Sequence, residues 1–349
     1  MPYPSLTAER TGVKVVRFIL GAVLAGIILG QIGLSVLMML AYRPASSNAI
    51  TFEQIVTINQ GMSGKEIGKM LKESGLILNS HLFNLMLHMT KTGSKLQAGE
   101  YLLNPAMSIF EVIEKLKDGI VVTYPVIIPE GYNLKQIADL LAEKNLVDEN
   151  RFLMLAHNAE LVYGDDLPLE LPIKSLEGYL FPDTYQFAKG QSEEAIIGHM
   201  VARFIDHVLP QIDLDSFGGK YSLHEVVTLA SIVEKEVIMD WERPIVAAVY
   251  LNRLDINMRL QADPTVRYVM TENRSRVLYS DLEIDSPYNT YRYDGLPPGP
   301  IASPGIKSIL AVLNPADVDY LYFVSKRNGT HQFSRTFSEH VAARRKLGY

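Results

Sequence analysis

The first strong pattern along the chain is an apolar run over residues 18–41, interrupted only by Gln31 and Ser35. A bilayer core needs roughly 20 apolar residues at about 1.5 Å rise each, so the run is long enough to cross one as a helix. Beyond it the pattern breaks into short amphipathic segments. Two of these resemble each other, GMSGKEIGKMLKESGLILNSHLF from Gly61 and GYNLKQIADLLAEKNLVDENRF from Gly131, at an offset of 70 positions. Ile67, Met70 and Leu71 in the first, and Ile137, Leu140 and Leu141 in the second, recur at helical spacing. Each copy therefore predicts a short strand, a glycine turn and a helix. Between them the pattern predicts a strand over 99–103 and a helix over 108–116, with Ser108 and Glu111 at capping-box spacing. Two copies are too few for a solenoid, and small βα modules in front of a larger domain fit better.

From Leu176 the character changes to a series of dense motifs. They read LEGYLFPDTY at 176–185, TLASIVEKE at 228–236, LNRL from Leu251, LQADPTVRY from Leu260, SPYNTY from Ser286 and GLPPGPIASPG from Gly295. The last is too rich in proline and glycine for a helix or a central strand, and dense proline stiffens a loop enough to wall a groove. A helix is expected over 223–239. Near the end, YLYFVS, Asn328-Gly329 and a second run through Phe333 predict a β-hairpin, because Asn-Gly suits its tight turn.

Charge orients the apolar run. Arg10, Lys14 and Arg17 precede it and Arg43 alone follows closely, so the short N-terminal tail is expected inside and everything after about residue 43 outside. A cleaved signal peptide competes, since small residues occupy 45–49. Its apolar core would be only about 7–15 residues, so retention as an anchor is expected. The formal net charge of −6 and the lack of a basic patch argue against a nucleic-acid partner. There is no cysteine, which removes disulfides, thiolate nucleophiles and cysteine-based zinc sites together.

Metal, serine and phosphate-loop chemistry each fail on spacing. His224-Glu225-Val226-Val227-Thr228 lacks the second histidine of a zinc-protease helix, and His331 and His340 stand alone. There is no G-x-S-x-G elbow. Gly64-Lys65 is followed by Glu66, and Asn59 stands where the first phosphate-loop glycine belongs. Carboxylates remain, the usual tools for breaking glycosidic bonds. Glu225, Glu234 and Glu236 share the expected helix, and at about 100° per residue the last two point to nearly opposite sides. Glu236 keeps company with Leu229, Ile232 and Val233, Glu234 with the smaller Val227, Ala230 and Ser231. Desolvation on the more apolar face raises a carboxyl pKa, and Asp240 one turn on would add like charge. A general acid near neutral pH needs such a shift. Periodicity alone leaves Glu236 either that acid or a buried, hydrogen-bonded structural group.

LEGYLFPDTY, TLASIVEKE, INMRLQADPTV, SPYNTY and GLPPGPIASPG, in this order behind one apolar helix, resemble the endolytic murein transglycosylase family (YceG-like). The resemblance is strongest over 176–340 and weakest over 51–150. It implies lytic cleavage between N-acetylmuramic acid and N-acetylglucosamine in peptidoglycan glycan strands, ending in a 1,6-anhydro ring. One carboxyl would serve as acid and then base, and the family's catalytic glutamate falls on Glu236. No second carboxylate at about 5–9 Å is then needed, nor any metal or organic cofactor. One departure is Val237, where the family often has a small hydroxyl residue. Gln261, Asp263, Asn289 and Tyr291 are candidate substrate-binding residues; loop architecture is the alternative, with Asp263 capping the turn before Pro264. Asp183 and Tyr185 fit a turn as well as a glycan contact.

The fold expected is α+β: an N-terminal transmembrane helix, a small LysM-like βα module that binds carbohydrate or acts as a spacer, then a mixed α+β catalytic domain with its glutamate on a helix. Boundaries are expected at 1–17 (cytoplasmic tail), 18–41 (membrane helix), 42–50 (linker), 51–125 (LysM-like module), 126–175 (second βα module or connector) and 176–349 (catalytic domain). The protein is expected in the bacterial cytoplasmic (inner) membrane, single-pass, with its C-terminal domains outside. Tethering would limit it to nascent glycan beside the bilayer, with a membrane peptidoglycan synthase as the expected partner.

Overall fold

The structure, a computed structural model, describes residues 6–46, 52–212, 220–271 and 276–349, with side chains from residue 17 onward. The chain forms two compact units, Met1–Val122 and Thr123–Tyr349.

The first unit opens with helix α1 (Leu6–Tyr42). Its segment Arg17–Tyr42 has mean hydropathy 2.3 and is long and apolar enough to cross a membrane. Most of its large side chains face outward, Phe18 at 80% and Leu29 at 68% exposure, which water would disfavour and lipid would not. Strand β1 (Gln54–Ile58), helices α2 (Gly64–Glu73) and α3 (Ser80–Thr90), strand β2 (Gly99–Leu103) and helix α4 (Ile109–Asp118) follow. β1 and β2 pair antiparallel, with Gln54 opposite Leu103 and Ile58 opposite Gly99. Ile67, Leu71, Phe83, Met86, Tyr101, Val112 and Leu116 bury the inner faces of these elements as one core.

The second unit begins with β3 (Thr123–Ile127), α5 (Leu134–Glu143), α6 (Glu149–Ala156), the single turn α7 (Glu160–Tyr163), β4 (Thr184–Ala188) and α8 (Glu193–Val208). Its buried centre is α9 (Leu223–Glu236), followed by α10 (Arg243–Asp255), α11 (Asp263–Val269) and α12 (Ile306–Leu313). The expected hairpin is present as β5 (Tyr322–Ser325) and β6 (His331–Ser334), and α13 (Phe337–Lys346) ends the chain.

The internal repeat survives in three dimensions. Gly61 and Gly131 both take left-handed backbone, φ 82° and 76°, where a side chain would be strained. Capping boxes at Ser63–Glu66 and Asn133–Gln136 start α2 and α5. The first copy continues as β-α-α-β-α and the second as β-α-α-α-β-α, its extra element being the single turn α7, with β3 and β4 antiparallel just as β1 and β2 are. They differ in what precedes the second strand. In the second unit the stretch 164–183, with most of LEGYLFPDTY, lies between α7 and β4.

The second βα module is therefore no separate connector over 126–175. β3 needs β4 to satisfy its open edge, and the apolar face of α5 (Leu134, Ile137, Leu141) joins the same core as Leu176, Tyr179 and α9. The unit boundary falls at 122/123, before β3.

Candidate active site

The site is built around the end of α9. Ser222 caps its start: the Glu225 N–H donates to Ser222 Oγ (3.3 Å) and the Ser222 N–H to Glu225 Oε2 (2.8 Å). That employs Glu225 as a cap and takes it out of the chemistry. Residues 226–233 are then buried on every side. Gly178, at φ 87°, permits the close packing of LEGYLFPDTY against the proline-rich loop; a Cβ there would lie 2.4 Å from Pro300 Cβ and 3.3 Å from Val227. Ser231 Oγ accepts from the Ile301 N–H (3.0 Å) and fastens that loop to the helix.

The helix stops at Glu236, three residues earlier than its pattern predicts. Val237 is extended, 5% exposed, and donates its N–H to Val233 O (3.1 Å). Its β-branched side chain is spent on the core, so at this departure from the family pattern it is a packing residue. Because the helix ends, Asp240 does not lie one helical turn beyond Glu236. It pairs instead with Arg243 and Lys307. The like charge near Glu236 comes from Asp263.

Glu236 is half-buried, and one of its oxygens, Oε1, accepts from Tyr250 Oη of α10 (3.0 Å). Burial pushes its carboxyl up to about 7; the Tyr250 hydrogen bond opposes this, Asp263 adds to it, and Arg267 and Arg253 hold it back. Tyr250 is fully buried, edge-on to Phe323 of β5 (5.8 Å between centroids). Arg253 is spent on backbone, donating to Leu321 O (2.7 Å) and Leu260 O (2.6 Å). No other donor from the described residues reaches the Glu236 carboxylate.

Glu234, two residues earlier, is saturated. Arg243 lies 3.1 Å away, the Gly305 N–H donates to it (3.1 Å) and Ser308 Oγ donates as well (2.8 Å). Its side chain is 6% exposed. The contrast in neighbouring side chains that separates the two glutamates in sequence does not hold, since Val227, Ala230 and Ser231 are as buried as Leu229 and Ile232. What separates them is the number of partners.

A third carboxylate was not picked out by spacing. Glu177, inside LEGYLFPDTY, is 2% exposed and pushed up to about 7 by burial. The Leu134 N–H donates to both of its oxygens (3.2 Å each), and Tyr268 Oη of α11 donates to Oε2 (3.1 Å). Glu177 thus caps α5 and ties it to the helix that carries Asp263. An acid amid Leu176, Gly178, Tyr179 and Leu180 is the signal that could have flagged it.

The remaining candidates cluster on one framework beside Glu236. Asp263 starts α11 and accepts from Tyr291 Oη (2.7 Å). Gln261 is exposed, with left-handed backbone (φ 48°), and its N–H donates to Thr290 O (3.1 Å). Asn289 is fully buried: its amide nitrogen donates to Leu282 O (2.9 Å) and Ile284 O (2.8 Å), and its oxygen accepts from the Tyr291 N–H (3.0 Å). Its side chain therefore shapes the loop that presents Tyr291 and offers little to a ligand. Asp183 and Tyr185 also serve architecture, Asp183 pairing with Arg203 and Tyr185 Oη donating to Phe181 O (2.6 Å). Among the described residues no group of three or more histidines and acids could hold a metal.

The profile of the YceG-like family matches residues 56–346. The chain is 37% identical over 305 residues to the endolytic murein transglycosylase of Bacillus subtilis, covering 83% of this chain and 84% of that protein. It is 30% identical over 321 residues to the endolytic murein transglycosylase of Streptococcus pneumoniae serotype 2, covering 82% of this chain and 58% of that longer protein. A crystal structure of a yceG-like protein from Listeria monocytogenes matches with TM-score 0.56 at 37% identity, over 83% of this chain and 98% of that one. With a profile match across most of its length and relatives at this identity, the chain belongs to the YceG-like family.

Proposed function

We propose that the protein is an endolytic murein transglycosylase, a lyase that cuts peptidoglycan glycan strands, with Glu236 as its acid and base. The observation that carries the assignment is the unspent carboxylate of Glu236. It is desolvated to a pKa of about 7 and is held by a single hydrogen bond. Near neutral pH a large fraction is protonated, which suits a general acid.

In the proposed reaction the protonated carboxyl gives its proton to the glycosidic oxygen between N-acetylmuramic acid and N-acetylglucosamine, and that bond breaks. The carboxylate then takes the proton of the muramyl 6-hydroxyl, whose oxygen bonds to the anomeric carbon and closes the 1,6-anhydro ring. Tyr250 fixes Oε1 and leaves Oε2 for substrate. Asp263, oriented by Tyr291, favours the protonated form of Glu236 and faces the positive charge that develops at the sugar. Gln261 offers an exposed amide to the glycan, and Asn289 acts indirectly by holding Tyr291.

The finer parts of the proposal rest on the first unit. Its β-α-α-β arrangement supports a LysM-like module that contacts glycan. The apolar helix supports a single-pass anchor in the cytoplasmic membrane with both units outside, acting on nascent strands beside a peptidoglycan synthase. The test is purified full-length protein in detergent on glycan strands, wild type beside Glu236→Gln, with products read by mass. Anhydro-muramic ends made by wild type and lost in the variant are expected. Reducing muramic ends would instead show a hydrolase, and equal cleavage by both proteins would remove Glu236 from the chemistry.

A further inference from the structure

The chain has a single tryptophan, Trp241, and it is 61% exposed. It stands on the short turn Asp240–Glu242, five positions after Glu236. Ile238 and Met239 on the same segment are 73% and 39% exposed. Three large apolar side chains shown to water within four positions are more than the scattered exposure of ordinary surfaces.

The turn beneath the indole is pinned on both sides. Asp240 pairs with Arg243 and Lys307, and Glu242, fully buried, accepts from the His331 N–H (2.9 Å) and from His331 Nδ1 (2.7 Å). The Glu242 N–H donates to Met239 O (2.9 Å), closing the turn itself. Yet among the described residues no ring or cation stacks on Trp241, and its indole N–H meets no acceptor. A rigid base therefore presents a large, amphipathic face that the protein itself does not use. Indole suits a sugar in this setting, offering a flat apolar surface to the C–H face of a pyranose and an N–H to a hydroxyl. Five residues of extended chain reach at most about 18 Å, within a few sugar rings of Glu236.

We propose that Trp241, flanked by Ile238 and Met239, is a saccharide subsite that stacks a ring of the glycan strand some units away from the bond that is cut. The assignment rests on the glycan-cleaving function proposed above and extends it to a distal contact. Such a subsite raises affinity for longer strands without entering the chemical step, so it acts on KM.

Because the protein has one tryptophan, its fluorescence reads this site alone. Full-length Glu236→Gln protein in detergent is titrated with purified glycan strands. A saturable change in emission is expected, over the concentration range in which the same protein is retained by insoluble peptidoglycan. In the active protein, Trp241→Ala is expected to raise KM for long strands roughly fivefold to tenfold with kcat unchanged, and Trp241→Phe to restore most of the loss; thermal melts check the fold of both. Unchanged emission while glycan is bound, or an unchanged KM in Trp241→Ala, overturns the subsite. Emission that shifts on transfer from detergent to lipid nanodiscs and ignores glycan also overturns it, assigning the patch to the bilayer. Cleavage by wild type, read by mass, reports separately on the underlying enzyme assignment.

Discussion

The two sides of the last turn of α9 hold carboxylates two residues apart in opposite chemical conditions. On one side Glu234 meets an arginine, a backbone N–H and a serine hydroxyl; on the other Glu236 meets a single tyrosine hydroxyl. An ionised carboxyl has about four acceptor sites, so Glu234 has spent most of its capacity on the fold while Glu236 keeps most of its own. Glu177 shows that burial alone does not mark a reactive acid. It too is pushed to about 7, but three hydrogen bonds from α5 and α11 employ it. The lesson is to count unspent lone pairs among desolvated carboxyls before ranking them by pKa.

The comparison breaks most visibly on activity. Glu236→Gln is expected to lower turnover of glycan strands by about 10²–10⁴-fold, the usual worth of general acid–base catalysis, with an unchanged circular dichroism spectrum. If Glu234→Gln proved the more damaging to turnover per folded molecule, the assignment of the two sides would be reversed. Removing Glu234 should instead strike stability. Glu234→Ala leaves the buried Arg243 with only Asp240, itself shared with Lys307, as a carboxylate partner; the cost should approach the roughly 3 kcal/mol lower end for breaking a buried pair, read as a lowered urea midpoint at unchanged slope.

A smaller effect separates the two by pH. The folded-state pKa of Glu236 lies above its ordinary value of 4.5, so the native state holds a proton that the unfolded chain releases earlier. Stability from this group is fully present below about 4.5 and is lost as pH rises through about 7. Glu236→Gln should therefore match wild type in thermal melts near pH 4 and exceed it near pH 8. An advantage that does not grow with pH would mean that Glu236 is not desolvated. The smallest change expected is in Tyr250→Phe. Its hydroxyl favours the charged carboxylate, so its loss should raise the Glu236 pKa further and move the alkaline fall of the pH–rate profile upward. A downward move would show that Tyr250 holds the neutral acid.

Much of this was legible from residue order. The glycine turns and helical spacing of the repeat, the capping box at Ser108, the membrane-length helix, the Asn328-Gly329 hairpin and α9 itself all follow from local preference, and each is present in the fold. Hidden were the facts that need a partner distant in sequence. Nothing local says that Tyr250 reaches Glu236, that Arg243 neutralises Glu234, or that Asn289 is buried under its own loop. The pattern overshoots the helix end because Val237 and Ile238 continue the apolar run while the backbone turns extended at Val237 and bends at Ile238. The second βα module read as a connector because the strand that completes it lies beyond residue 176, past a stretch with no counterpart in the first copy.

That late strand has a consequence for how the chain acquires its shape during synthesis. β1 finds its partner within its own module, so the first unit can close before the second exists. β3 must wait for Thr184–Ala188, and until then it is an unpaired edge open to wrong partners. The extra stretch costs little in closure entropy, under about 0.6 kcal/mol for less than a doubling of loop length, so its burden is one of timing. The second module cannot finish folding before the segment with Glu177 and Gly178 has been made. A nascent chain halted just short of residue 184 would hold a finished first unit and an open second one, a natural point for chaperones and proteases to sort it.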